Sequence, residues 1–83
     1  MKPKTCVLLA SGFEELEAVT VIDVFNRAGL DNTVISLFDD LIVIGGQQIP
    51  IKCDETFMNI VKKDQLFDGI VIPGGLTGVQ YFI

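Results

Sequence analysis

TCVLLASGFEELEAVTVIDVFNRAGLDNTVISL, residues Thr5–Leu37, decides the fold. It opens on TCVLLA (Thr5–Ala10), a continuous apolar run of the kind a strand shows when both of its faces are covered. Ser11-Gly12-Phe13-Glu14 follows with the spacing of a capping box, Ser11 capping and Glu14 reaching back. From Glu14 to Ala28 the pattern is helical, and Gly29 supplies a natural C-terminal stop. Asn32–Leu37 (NTVISL) is a second strand. Strand, helix and strand in that order predict a parallel pair joined by a right-handed crossover.

Beyond Leu37, Asp39-Asp40 is polar punctuation. Leu41–Ile44 and Gln47–Cys53 are short β-rich runs on either side of Gly45-Gly46, and they read as a hairpin. Asp54 to Lys63 is a short helix, although Thr56 and Asn59 are weak helix formers. Asp68–Ile72 (DGIVI) is a further buried strand, closed by Pro73-Gly74-Gly75. Leu76–Ile83 is an apolar tail that looks like an interrupted helix. The sequence holds no internal repeat or linker, and the whole resembles the front half of a doubly wound α/β domain.

With 83 residues the chain is at most one domain. A chain of this size buries roughly 60% of its unfolded surface, a marginal core. Yet 49% of its residues are hydrophobic and its mean hydropathy is +0.52. That excess implies apolar surface that meets a partner or further polypeptide. The net charge is −5 and the six basic residues are scattered, which argues against nucleic-acid binding. No apolar run approaches the ~18 residues of a membrane span, and the run Cys6–Ala10 is shorter than the roughly 7–15 residues of a signal peptide core. A soluble, cytoplasmic chain is expected. The two cysteines, Cys6 and Cys53, do not make a disulfide framework. The absence of histidine excludes His-based metal sites and Ser-His or Cys-His catalysis within this chain.

Three glutamates crowd the start of the helix. Glu14 and Glu15 suit a first turn, where carboxylates complement the helix dipole and cap free N–H groups. Glu17 is different. At about 100° per residue it projects into an apolar stripe with Val21, Val24 and Ala28, where an unpaired carboxylate is costly. Two readings stand: a helix rotated so that the carboxylate reaches water, or a buried, partly protonated glutamate that hydrogen-bonds a functional group and donates a proton. The second predicts a largely buried Glu17 aimed at the space beyond Pro73-Gly74-Gly75. Those glycines stand at the carboxyl end of a strand, where open α/β sheets bind ligands and where free N–H groups can hold an anion. Gly45-Gly46 is read as hairpin chemistry and Asp39-Asp40 as a solvated loop. Cys6 is an inert core thiol, and Cys53 closes a strand near the surface with nothing nearby to activate it.

VLLASGFEELEAVTVIDVFNRAGL (Val7–Leu30) and FDGIVIPGGLTG (Phe67–Gly78), separated by a hairpin and a short helix, resemble the ThiJ/PfpI superfamily. The likeness is closest to its Parkinsonism-associated deglycase branch, which includes bacterial thiazole-biosynthesis-like homologues. It implies a flavodoxin-like α/β fold, usually a homodimer. It further implies that Glu17, third glutamate of the GxEExE segment, is buried against a nucleophilic cysteine, and that Gly74 and Gly75 help to form the oxyanion pocket beside it. Arg27 matches an arginine near the dimer contact of some members. The activities implied are conversion of methylglyoxal to lactate and protein deglycation, with no organic cofactor or metal, and chaperone and redox-stress roles are also claimed.

One departure is severe. The family's nucleophilic cysteine lies on an elbow downstream of Pro-Gly-Gly, and this chain stops first. The chain therefore resembles the N-terminal portion, residues 1–83, of a single ThiJ/PfpI-like domain, a fragment or a natural truncation, and is expected to be inactive alone. Two function classes follow: half of a cysteine-dependent glyoxalase or deglycase site acting on small carbonyl compounds, or a non-enzymatic flavodoxin-like binding module.

Overall fold

The computed structural model describes residues 2–75. β1 (Lys4–Leu9) lies inside the sheet because its side chains are apolar on both faces. Val7 and Leu9 point to one side, Cys6 and Leu8 to the other. The chain leaves β1 through Gly12, whose φ of +85° is open to glycine at little cost, and enters α1 (Glu15–Arg27). It returns as β2 (Asp31–Ser36), parallel to β1 in a register that pairs Lys4 with Asp31 and Leu9 with Ser36. The expected strand–helix–strand unit is present, each strand displaced by one residue.

The helix start differs from the capping box. Glu14, not Ser11, is the N-cap: its Oε1 accepts from the Leu16 N–H and its Oε2 from the Glu17 N–H, both at 3.0 Å. Gly12 turns the chain between the two candidates, and the carboxylate of Glu14 reaches its own first turn. At the other end Gly29 takes φ +76°. Its N–H donates to Asn26, and that of Leu30 to Phe25, which closes the helix in a Schellman motif.

A hairpin follows, β3 (Ile42–Ile44) antiparallel to β4 (Pro50–Lys52). It is shorter than the flanking apolar runs, because residues 45–49 form the connecting loop. The segment read as the start of a helix instead extends the sheet. Asp54 donates its N–H to the Val34 carbonyl and accepts the Val34 N–H on its carboxylate. That double link draws β5 (Glu55–Thr56) alongside β2 in parallel. Thr56 then caps α2 (Phe57–Lys62), its Oγ1 accepting from Asn59. A weak helix former inside a helix is thus a good cap at its edge.

β6 (Gly69–Val71) pairs in parallel with the free side of β1, giving the order β5-β2-β1-β6. α1 and the hairpin cover one face, where Val7, Leu9, Phe13, Ala18, Val34 and Val43 form the larger core. α2 covers the other, where Ile60 packs on Cys6 and Ile35. β6 is not the buried strand expected, since Ile70 and Ile72 are exposed. Cys53, expected near the surface, is buried in the larger core. The expected C-terminal tail lies outside the described residues.

Candidate functional site

β2 lies on one side of β1 and β6 on the other, so the carboxyl ends of β1 and β6 flank a topological switch point. Two turns meet there, residues 10–14 after β1 and residues 72–75 after β6. The Glu14 N–H donates to the Gly74 carbonyl at 2.7 Å. Gly75 adopts φ +127°, and a Cβ on it would lie 2.5 Å from the Gly12 carbonyl oxygen and 3.0 Å from the Glu14 nitrogen. Only glycine fits this crossing of backbones. The hairpin holds the first turn from the opposite side. Gly12 donates to Ile44 at 2.9 Å, and Gly46 donates to Phe13 at 2.8 Å.

Glu17 reaches this junction. Its Oε1 accepts the Gly74 N–H at 3.1 Å, so two of the three expected site residues are joined directly. The carboxylate does point toward the Pro73-Gly74-Gly75 turn, but the residue is exposed rather than buried. Its stripe explains why. Leu16, Thr20, Val21 and Val24 line a shallow apolar depression beside Glu17, with only Val71 contributed by the sheet. Leu16 is 73% exposed and Val24 53%. The stripe is apolar as read; Val21 packs in part against the larger core, while Leu16 and Val24 stand open.

The buried carboxylate is Glu15, read from sequence only as a first-turn carboxylate that complements the helix dipole. It is only 7% exposed. Its Oε2 accepts the N–H groups of Gln47 at 2.6 Å and Ile49 at 3.3 Å. Burial by itself would push its acidity down, but the N–H groups of Gln47, of Glu15 itself and of Ile49 favour the anion and hold the carboxyl below the usual carboxylate range. Gly45 makes room for it, since a Cβ there would overlap the Glu15 carboxyl group. The Gly-Gly pair is therefore not hairpin chemistry alone. The one sequence signal for this contact was a second glycine that no turn demanded.

Between the turns and the hairpin lies a cleft of about 340 Å³ lined by Gly12, Phe13, Glu14, Glu15, Gly46, Gln47 and Gly75. Neither cysteine serves it. Cys6 faces the α2 side, where burial pushes its thiol up. Desolvation and the neighbouring Asp54 charge push the Cys53 thiol up to about 11. Asp40 is used in a turn, its Oδ1 accepting from Ile42, and among the described residues no group of His, Cys, Asp and Glu could hold a metal ion. Arg27 pairs with Asp23 at 3.0 Å on the exposed side of α1.

Residues 3–82 match the DJ-1/PfpI family. The protein DJ-1 homolog B of Arabidopsis thaliana is 36% identical over 80 residues, which are 96% of this chain and 18% of that relative. The Parkinson disease protein 7 homolog of Danio rerio is 35% identical over 93% of this chain and 40% of its own length. Among solved structures, Drosophila melanogaster DJ-1beta superposes with a TM-score of 0.91 at 33% identity, covering 98% of this chain and 42% of that one. The chain thus spans less than half the length of each of these relatives.

Proposed function

The chain belongs to the DJ-1/PfpI family and has its flavodoxin-like α/β fold, and we propose that it is the N-terminal portion of a single domain whose site performs cysteine-dependent glyoxalase or deglycase chemistry on small carbonyl compounds such as methylglyoxal. The observation that carries this reading is the 3.1 Å contact between Glu17 Oε1 and the Gly74 N–H, made at the switch point beside a cleft. In such chemistry a thiolate adds to the substrate carbonyl carbon, and the electron pair of the C=O bond moves onto oxygen. The glycine turn offers backbone N–H groups to that oxyanion, Gly75 in particular, while Glu17 is placed to hold and transfer a proton. The thiolate comes from polypeptide other than these 83 residues, since both cysteines present are buried with raised thiols. No cofactor or metal is invoked.

The same reading makes the protein a homodimer, with the uncovered stripe of α1 as one apolar surface available to it, and gives it a cytoplasmic location. Among the described residues no helix is long and apolar enough to cross a membrane.

Methylglyoxal consumption tests the proposal. The 83-residue chain should show no turnover, and a chimera continued with the remaining sequence of a longer relative should. In that chimera Glu17→Ala should cost about 10²–10⁴ in rate, as for loss of a positioned acid–base group, and Asp23→Ala little. Turnover by the 83-residue chain that disappears in Cys53→Ser would overturn the assignment of the nucleophile.

A further inference from the structure

We infer that Glu15 is a latch that fastens the β3–β4 hairpin to the first turn of α1 and so fixes the wall of the cleft formed by Gly46 and Gln47. This does not depend on the carbonyl chemistry proposed above. Three independent features of the geometry support it.

The first is reach. Glu15 is separated from Gln47 and Ile49 by 32 and 34 residues, yet one of its oxygens receives both N–H groups. The second is fit. Gly45 leaves the space that the carboxyl group occupies, and no positive φ at that position requires a glycine. The third is the loop itself. It takes the Gln48 N–H to the Gly45 carbonyl and the Gly45 N–H to the Ile49 carbonyl, with Gln48 at φ +66°. A glutamine is disfavoured in the left-handed region, so an external hold on both flanking amides keeps the loop in this shape.

The latch responds to acid because its bonds need the anion. From its own turn, the charged neighbours are Glu14, whose carboxylate is engaged by the N–H groups of Leu16 and Glu17, and Glu17, whose carboxylate turns to the Gly74 N–H on the other side of the helix. From the hairpin loop, residues 45–49 present no titratable side chain, and neither does the Pro73-Gly74-Gly75 turn. The carboxyl is held below its ordinary value of 4.5, so the latch stays closed above that value and opens as pH falls through the lowered one.

Amide exchange and NMR titration of the 83-residue chain test this from both sides of the contact. In Glu15→Ala, and in Gly45→Ala where the new Cβ displaces the carboxyl, exchange at Gln47 and Ile49 should quicken roughly tenfold or more, while Val7 and Val34 in the sheet keep their protection. In the double variant, Gly45→Ala should add nothing to Glu15→Ala, since no carboxyl remains to displace. Unchanged protection at Gln47 and Ile49, or an equal loss at Val7 and Val34, would overturn the latch. Should a variant fail to fold, the unmodified chain decides: the Gln47 and Ile49 amide shifts should follow the Glu15 carboxyl on acidification, and flat shifts through that titration also overturn it.

Discussion

Glu15 faces the hairpin and Glu17 faces the glycine turn after β6, two sides of one helical turn with carboxylates only two residues apart. On the hairpin side the carboxylate is buried and satisfied by two backbone N–H groups. On the glycine side it is exposed and receives one. The helical wheel placed Glu17 in the apolar stripe and left open whether it was buried, because a wheel reports which residues share a face and not what arrives to cover that face. The polar face of α1 is met by a loop that turns the Gln47 and Ile49 N–H groups toward it, and its apolar stripe is met by little. A carboxylate is comfortable wherever donors converge on it, whatever the hydrophobicity of its neighbours along the helix.

The largest way to break this asymmetry is on the glycine side. Gly75→Ala should destabilise the chain by about 3 kcal/mol, from a strained φ and a Cβ pressed onto the Gly12 carbonyl. A fall in the urea midpoint without a change in slope is the expected reading. A smaller effect belongs to Glu15→Gln, and its pH dependence identifies it. A carboxyl whose acidity is strengthened by folding contributes stability above its ordinary value of 4.5 and loses it as pH falls through the lowered one. The unmodified chain should therefore exceed the variant at neutral pH, and the two urea midpoints should converge in acid. The smallest effect is Glu17→Gln. One hydrogen bond at an exposed site should change stability by under about 1 kcal/mol, which a denaturation curve would show as near-coincidence with the unmodified chain. Stability resting more on Glu17 than on Glu15 would invert the comparison.

Much of the scaffold was legible because its signals are local. An apolar run, a helical pattern and a glycine stop each act within a few residues, so β1, α1 and β2 lay within one residue of their expected bounds. The errors occurred where one residue had two local uses and a distant partner chose between them. Ser11 and Glu14 are both competent caps, and Gly12 settled the matter by turning the chain. Thr56 suits a helix poorly and a cap well, but the short strand it ends exists only because Asp54 found Val34. The direction of the Glu17 carboxyl, toward Pro73-Gly74-Gly75, was anticipated from the strand-end position of the glycines and from family likeness, but its hydrogen bond to the Gly74 N–H was not. The link between Glu15 and the hairpin had no such guide, since it depends on a loop more than thirty residues away.

The position of β1 between its two parallel partners has a consequence for the order of assembly. Its link to β2 spans 27 residues, as between Thr5 and Asn32, whereas its link to β6 spans 64, as between Lys4 and Asp68. Closing the longer span costs roughly 0.8 kcal/mol more in chain entropy, and it repays only a three-residue strand. The unit β1–α1–β2 can therefore dock first, as soon as Ser36 is available, and β6 last. Throughout that interval one edge of β1 is open to whatever strand reaches it, from the same molecule or another. The paired bonds between Lys4 and Asp68 register the late strand at that edge. Growth of the polypeptide thus gives the sheet a direction of construction: outward from β1 on one side, then back across to the other.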